Sequence, residues 1–324
     1  MRQHGLERGW GWAVSLAVIG LAGWGLGQQP AKPAKPAGYV GVSVCKMCHP
    51  AQYQSYLANP MSHRAAMLAA ARRAGLPRIS GCESCHGPGA AHVKAMAGAG
   101  GDAAKIHAIY KRQLVWGFFP GNGAKANSQR CLACHATGLQ QAHFAHSVHL
   151  DNNVGCLNCH TVHGKHSGAH FLLASQPQLC YRCHLQQRAQ FQLPWHHRVN
   201  EGLVRCSDCH DPHGSLIQTQ LHQGPAGDQV CFKCHEDKQG PFVYEHEPVK
   251  TEGCTDCHTP HGSPNPHLLK VANVNQLCLQ CHTASSFSGA PGTPSFHNQA
   301  AQFQACTLCH TQIHGSNLDP AFTR

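Results

Sequence analysis

Apolar side chains are concentrated at one place in this chain. The segment Gly9-Trp-Gly-Trp-Ala-Val-Ser-Leu-Ala-Val-Ile-Gly-Leu-Ala-Gly-Trp-Gly-Leu-Gly27 is almost wholly apolar, follows a basic start with Arg2 and Arg8, and ends on small residues. That pattern predicts a secretory signal peptide over residues 1–27, cleaved after Gly27, and therefore export. An uncleaved anchor is the alternative, because the apolar run is near the lower limit for a span. Residues 28–38 are a Pro/Ala/Lys linker, which favours extended chain. In residues 39–324 long amphipathic runs are scarce. The exceptions are an Ala-rich stretch over residues 61–74, which predicts a helix, and an aromatic cluster, Trp116-Gly-Phe-Phe119, within residues 93–130. No later segment is apolar enough to span a membrane as a helix.

The polar pattern is the informative one. Cys-x-x-Cys-His occurs ten times and uses all 20 cysteines of the 324-residue chain. The cysteine pairs are Cys45/Cys48, Cys82/Cys85, Cys131/Cys134, Cys156/Cys159, Cys180/Cys183, Cys206/Cys209, Cys231/Cys234, Cys254/Cys257, Cys278/Cys281 and Cys306/Cys309. The histidines that close them are His49, His86, His135, His160, His184, His210, His235, His258, His282 and His310. This is the attachment pattern of c-type haem. Two thiols add across the haem vinyl groups and the adjacent imidazole supplies an axial nitrogen. The two-residue gap spaces the sulfurs by about one helical turn. Zinc ribbons also use Cys-x-x-Cys pairs but do not require His after every second Cys, and a disulfide scaffold gives no reason for ten identical pairs. Ten covalently bound haems are therefore expected.

Haem also resolves a difficulty of composition. Charged residues make up 12% of the chain, and it holds 33 Gly and 20 Pro. Such a polypeptide cannot bury enough apolar side chain to offset its conformational entropy. Large covalently bound apolar plates can serve as the core, as in metal-coupled folding. From the third motif onward the first cysteines lie 25, 24, 26, 25, 23, 24 and 28 residues apart, the mark of a repeat array. The fold class expected is a multihaem cytochrome c, mostly irregular with short α-helices and little or no β, arranged as an elongated array of five dihaem repeats.

Nineteen of the 29 histidines lie outside the motifs. Odd-numbered motifs are followed at long range by His63, His149, His196 or His197, His246 and His297. Even-numbered motifs are followed at short range by His92, His163, His213, His261 and His314. This alternation supplies one further imidazole per motif and predicts bis-His, low-potential haems. Aligning His196-His-Arg-Val with His246-Glu-Pro-Val favours His196 over His197, and spacing favours His149 over His143 and His146. A His three residues after its own motif is blocked by the porphyrin from the far face, so His163, His213 and His261 are expected to ligate neighbouring haems. His107, His143, His166, His170, His222 and His267 read as surface residues or propionate partners. After the signal segment only Met47, Met61, Met67 and Met96 could offer the alternative thioether ligand.

The formal net charge of +10 raises the question of nucleic acid. Haem propionates offset most of it and pair with Arg and Lys, so neither nucleic acid nor anionic lipid is expected as a partner.

Three stretches carry a family likeness: Gly81-Cys-Glu-Ser-Cys-His-Gly-Pro-Gly-Ala-Ala-His92; Pro194-Trp-His-His-Arg-Val-Asn-Glu-Gly202 leading to Cys206-Ser-Asp-Cys-His-Asp-Pro-His-Gly214; and Gly240-Pro-Phe-Val-Tyr-Glu-His-Glu-Pro-Val249 leading to Cys254 and Pro260-His-Gly-Ser263. In these the chain resembles the decahaem cytochromes of outer-membrane electron conduits, the MtrA/DmsE/PioA type, over nearly everything after Tyr39. The resemblance implies an electron-transfer protein rather than an enzyme, periplasmic and associated with the outer membrane. It further implies threading into a β-barrel porin, with other multihaem cytochromes as donor and acceptor. Residues 93–130 interrupt the array and read first as a flap over an edge of the haem stack, with a docking surface as the alternative. Two other function classes are a multihaem reductase of a small oxyanion, which needs a vacant iron position, and a soluble electron shuttle.

Overall fold

The computed structural model describes residues 37–73, 81–136, 138, 141–164, 169–222, 228–282 and 305–323. The signal segment, most of the linker and His297 lie outside them. The described chain is a succession of short helices. The first seven are α1 (Val42–Cys48), α2 (Pro50–Leu57), α3 (Arg64–Arg73), α4 (Glu83–His86), α5 (Ala90–Ala99), α6 (Ala103–Lys111) and α7 (Ala124–His135). Then follow α8 (Val148–Asp151), α9 (Cys156–Cys159), α10 (Gln178–Tyr181), α11 (Leu185–Gln190), α12 (Cys206–Cys209), α13 (Gln229–Phe232), α14 (Glu247–Thr251), α15 (Cys254–Cys257) and α16 (Val274–Cys278). Among the described residues the only strands are β1 (Tyr244–Glu245) and β2 (Gly315–Ser316), paired antiparallel with Tyr244 opposite Ser316. This is the mostly irregular, short-helix architecture expected of a multihaem cytochrome.

The helices follow local rules. The Ala-rich stretch forms α3. Within residues 93–130, α5 ends at Gly100 in the left-handed region, φ 57°. Asp102 then caps α6, its Oδ1 accepting from the N–H groups of Ala104 (2.9 Å) and Lys105 (3.1 Å). Each motif is a single closed turn, as in the bonds from His160 N–H to Cys156 O (2.8 Å) and from His210 N–H to Cys206 O (2.9 Å). That turn brings the two thiols, three residues apart, to one side.

There is little polypeptide core. Buried apolar side chains among the described residues are Ala71, Ala99, Ile109, Phe144, Phe191, Val199 and Val230, whereas Leu216, Leu308 and Leu203 are exposed by 91%, 80% and 77%. The polypeptide is a thin wrapping that needs something large and apolar to wrap. No helix among the described residues is long and apolar enough to cross a membrane.

Candidate haem sites

The even-numbered motifs share one local device. After the motif His the chain runs out as a loop and returns, and a carbonyl on the return accepts a hydrogen bond from the imidazole Nδ1. His160 donates to His170 O (2.6 Å), His210 to Thr219 O (2.9 Å) and His258 to His267 O (2.7 Å). His310 donates to Ala321 O in the same way. Backbone bonds staple the loop shut: Thr161 N–H to Phe171 O, Asp211 N–H to Gln220 O, Thr259 N–H to Leu268 O and Gln312 N–H to Phe322 O, at 2.7–2.8 Å. The return residues take positive φ, 53° at Gln220 and 59° at Leu268, which turns the preceding carbonyl inward. His170 and His267 thus act through their backbones. At the second motif the same bracket is made by Trp116, thirty residues away: His86 Nδ1 donates to Trp116 O (2.6 Å) and Trp116 N–H to His86 O (2.8 Å). Residues 93–130 are therefore an enlarged bracket, which brings Trp116 and Phe118 beside His86. Phe118 stands edge-on to His86 with centroids 5.4 Å apart, and Arg130 lies over the Trp116 ring at 5.0 Å.

Beside His86, His160, His210 and His258, and beside four further motif histidines, stands a second imidazole. Eight such pairs occur among the described residues. His49–His92 and His86–His163 have centroids 6.3 Å apart; His149–His184, His160–His213 and His246–His282 are at 6.1 Å; His197–His235 and His258–His314 are at 6.2 Å; His210–His261 is at 6.0 Å. Each pair joins a motif His to a histidine outside the motifs. The spacing is too wide for a hydrogen bond and narrowly uniform. A metal between two imidazole nitrogens, with bonds of about 2.0–2.1 Å, sets ring centroids about 6.2 Å apart.

Long-range crossings place the second imidazoles. His149 Nδ1 donates to Pro212 O (2.9 Å), beside His213, and His197 Nδ1 donates to Pro260 O (2.6 Å), beside His261. His246 bonds the backbone of Ile313, beside His314. Each crossing is locked nearby. Trp195 and Ser263 exchange backbone bonds at 3.2 and 2.8 Å, and β1 pairs with β2. At the first crossing Gly214 takes φ 106°, and a Cβ there would stand 2.9 Å from His143 O. The same crossings decide between the two adjacent histidines. His197, not the expected His196, faces His235. His196 has both ring nitrogens engaged, Nδ1 with Leu193 O (2.6 Å) and Nε2 with Glu201 (3.1 Å). The alignment failed because the stretch from Val199 to Cys206 is two residues longer than that from Val249 to Cys254.

The sulfurs form a ladder. The first thiols of successive odd and even motifs touch: Cys45 and Cys82, Cys131 and Cys156, Cys180 and Cys206, Cys231 and Cys254, Cys278 and Cys306. Between these units the second thiols sense one another, as Cys85 does Cys134, Cys159 does Cys183, Cys209 does Cys234 and Cys257 does Cys281. Neighbours in the sequence are thus neighbours in space. The polypeptide does not cover every rung. Cys48, Cys183, Cys234, Cys281 and Cys309 are exposed in the polypeptide. A thioether cysteine packs against its macrocycle, so the protein backbone alone need not bury it.

Polar latches hold each unit, with a side chain three or four residues before the odd motif accepting from the start of the even one. Ser128 Oγ takes Cys156 N–H (3.2 Å), Gln176 Oε1 takes Ser207 N–H (3.0 Å), Asp228 Oδ2 takes Cys254 N–H (2.9 Å) and Asn275 Oδ1 takes Cys306 N–H (2.9 Å). The approach of Asp228, Cys231 and Cys254 to within 4.8 Å of one another follows from this latch. In the first unit buried Glu83 plays the part, accepting from Val40 (3.0 Å), Gly41 (2.7 Å) and Gly89 (2.8 Å) N–H.

The electrostatics suit neutral nitrogen donors. Burial lowers the imidazole pKa of His92, His163, His184, His246 and His261, and takes His314 down to about 4. Burial pushes the Cys45 and Cys278 thiols up to about 11. No disulfide engages any of the 20 cysteines. The buried Trp116 Nε1 has no protein acceptor, which suits a haem propionate. Facing imidazoles, paired free thiols, exposed leucines and an orphaned donor all fit c-type haem. His63 precedes α3, and His135 ends α7, which α3 touches; this couple is not among the eight facing pairs. His222 is spent on Ser207 O (2.8 Å).

Known proteins point the same way. The family model for the doubled CXXCH motif matches residues 149–189, 196–240 and 246–287. A cytochrome c-type protein NrfB from Escherichia coli O6:H1 is 27% identical over 127 residues, 34% of this chain and 65% of that one. The multiheme cytochrome MtrA of Shewanella baltica is 32% identical over 284 residues, 86% of this chain and 79% of the relative. By that extent of likeness, and by the haem-binding pattern it shares, the chain belongs to the MtrA-type multihaem cytochromes, which are electron-transfer proteins.

Proposed function

We propose that this chain is a wire of ten haems without catalysis of its own, carrying electrons across the outer membrane inside a β-barrel porin. The eight imidazole pairs at 6.0–6.3 Å support this reading most directly. In this reading the axial ligands are His49/His92, His86/His163, His160/His213, His184/His149, His210/His261, His235/His197, His258/His314 and His282/His246. His135 takes His63 by the same alternation, and His310 takes His297 by elimination. Irons held on both faces exchange electrons but bind no substrate, which argues against the reductase. A hydrocarbon core of about 30 Å is too thick for one hop, whereas an array linked neighbour to neighbour divides it into short ones. A barrel keeps so thinly wrapped and polar a chain from lipid. In this reading residues 1–27 direct export, residues 28–38 tether, and residues 39–324 carry the haems on the periplasmic side, exchanging electrons with other multihaem cytochromes. The test is a carbon monoxide difference spectrum of the fully reduced protein. No binding is expected; binding at about one haem in ten would mean a vacant iron and the reductase reading. Reconstitution with the porin in vesicles checks the conduit: enclosed reductant should bleach an external dye only when both proteins are present.

A further inference from the structure

The charges of this chain are not spread with its motifs. Residues 37–150 hold 11 Lys and Arg against 2 Asp and Glu, while residues 151–324 hold 10 against 12. The first span carries three motifs and the second seven. Were cations present only to pair with propionates, they would follow the motifs; three motifs instead have more than seven do. Propionates sharpen the imbalance, since most belong to the half already short of cations. The sulfur ladder runs in sequence order, so the sequence asymmetry is an asymmetry between its two ends.

At the basic end the cations are free to act. Lys46, Arg72, Arg73, Lys94, Lys105, Lys111, Arg112 and Lys125 are all exposed. Lys105 lies 3.9 Å from Asp102, and both side chains are solvated (65% and 47% exposed), so that pair is weak. Asp102 is the sole acid of the region besides buried Glu83. Three of the cations lie on or beside α6, within the enlarged bracket. Tyr110 (60% exposed) and Phe119 (42%) stand beside them, their rings 6.5 Å apart. Four residues after Arg112 the same segment reaches Trp116, whose carbonyl holds His86. A partner seated on α6 is therefore delivered to the second motif. The other brackets close in nine to eleven residues, too few to carry a helical hairpin.

We propose that the α5–α6 hairpin is an electrostatic docking surface for an acidic electron-transfer protein, which exchanges electrons with the array at its first two motifs. The inference rests on the electron-wire reading above and adds where and with what charge the wire is contacted. One electron passes per encounter from the reduced carrier to an oxidised haem, with no bond made or broken. Opposite charge raises encounter rates by steering, and salt removes the gain.

The experiment uses the purified, oxidised holoprotein and a reduced flavodoxin as the acidic carrier, mixed by stopped flow at low and high ionic strength. The first variant reverses Lys105→Glu, Lys111→Glu and Arg112→Glu; a second replaces the same residues by Gln. The control reverses Lys238→Glu, Lys250→Glu and Lys270→Glu. The wild-type rate should fall steeply with salt, the α6 reversal should slow it about tenfold at low salt, the Gln variant should fall between, and the control should match wild type. Equal effects of α6 reversal and control, or none from either, overturn the proposal. So does co-sedimentation of wild type but not the α6 variant with phosphatidylglycerol vesicles while carrier rates stay equal, since that makes the patch a lipid site. Full reduction of every variant by dithionite verifies that the haem chain is intact. Its failure in wild type would instead strike the electron-wire reading itself.

Discussion

Residues 149–282 and residues 37–136 solve one problem in two ways. In the first region the bracket loop closes in nine or ten residues, the second imidazole stands opposite a motif two places away, and the unit is latched by one side-chain acceptor. In the second the bracket takes thirty residues, the first motif His faces His92 from just past the next motif, and a buried carboxylate holds three N–H groups. Yet His86 and His210 end with the same Nδ1 bond and the same spacing to a facing ring. The geometry at the imidazole is what both regions share, and loop length is free to vary around it. That freedom let a helical hairpin grow inside one bracket without disturbing the site it closes.

The shared geometry can be disrupted at the ligands first. His261→Ala in the regular region and His92→Ala in the other should each convert one haem to a five-coordinate, CO-binding form, about one-tenth of the total. His197→Ala should do the same, whereas His196→Ala should leave the spectrum unchanged; a CO signal from the last would return the ligand to His196. Next come the latches, read by denaturant midpoint. Glu83→Ala strands three backbone donors and should cost about 3–5 kcal/mol, and Asp228→Ala, which strands one, about 1–3 kcal/mol. Equal costs would mean that the two regions are tied alike.

Acid should produce the smallest and most graded effect. Burial holds His92, His163, His184, His246, His261 and His314 below the ordinary imidazole pKa. The unfolded chain therefore binds more protons as pH falls through 6.5, and the folded state loses stability progressively until the folded pKa values are passed, about 4 at His314. Iron held by a neutral nitrogen acts in the same direction. Unfolding midpoints that stay level between pH 7 and 4 would refute this.

What the sequence made legible was the chemistry fixed by short spacing. Thioether attachment needs two thiols and an imidazole within five residues, so ten motifs and the odd–even alternation can be read directly. The helix α3 was legible from its alanines. The carbonyls of Trp116, Pro212 and Pro260 were not, because any residue supplies a carbonyl and only the folded path decides which one arrives. His197 was obscured for a related reason: an alignment of two loops of unequal length puts the wrong neighbour in register. The signal that could have found it was the distance to the next motif, nine residues from His197, against seven from His149 and eight from His246. The exposure of Cys309 was equally hidden, since a motif names the sulfur and not what packs on it. The pairing of β1 with β2 joins segments some seventy residues apart and leaves no periodicity in so short a strand.

In the export reading proposed above the crossings have a temporal meaning, because the chain would emerge N-terminus first. In the proposed pairs the odd-motif irons of the regular region look back to His149, His197 and His246, which emerge before His184, His235 and His282. The even-motif irons look forward, His160 to His213, His210 to His261 and His258 to His314, so each must wait for more than fifty further residues. In that reading the irons of these three even motifs would keep a single protein ligand until the later imidazole emerges, whereas His310 would find His297 already upstream. Maturation becomes a relay in which each newly emerged segment caps an iron left open upstream, and a truncated chain carries its fault on the last even haem rather than at its cut end.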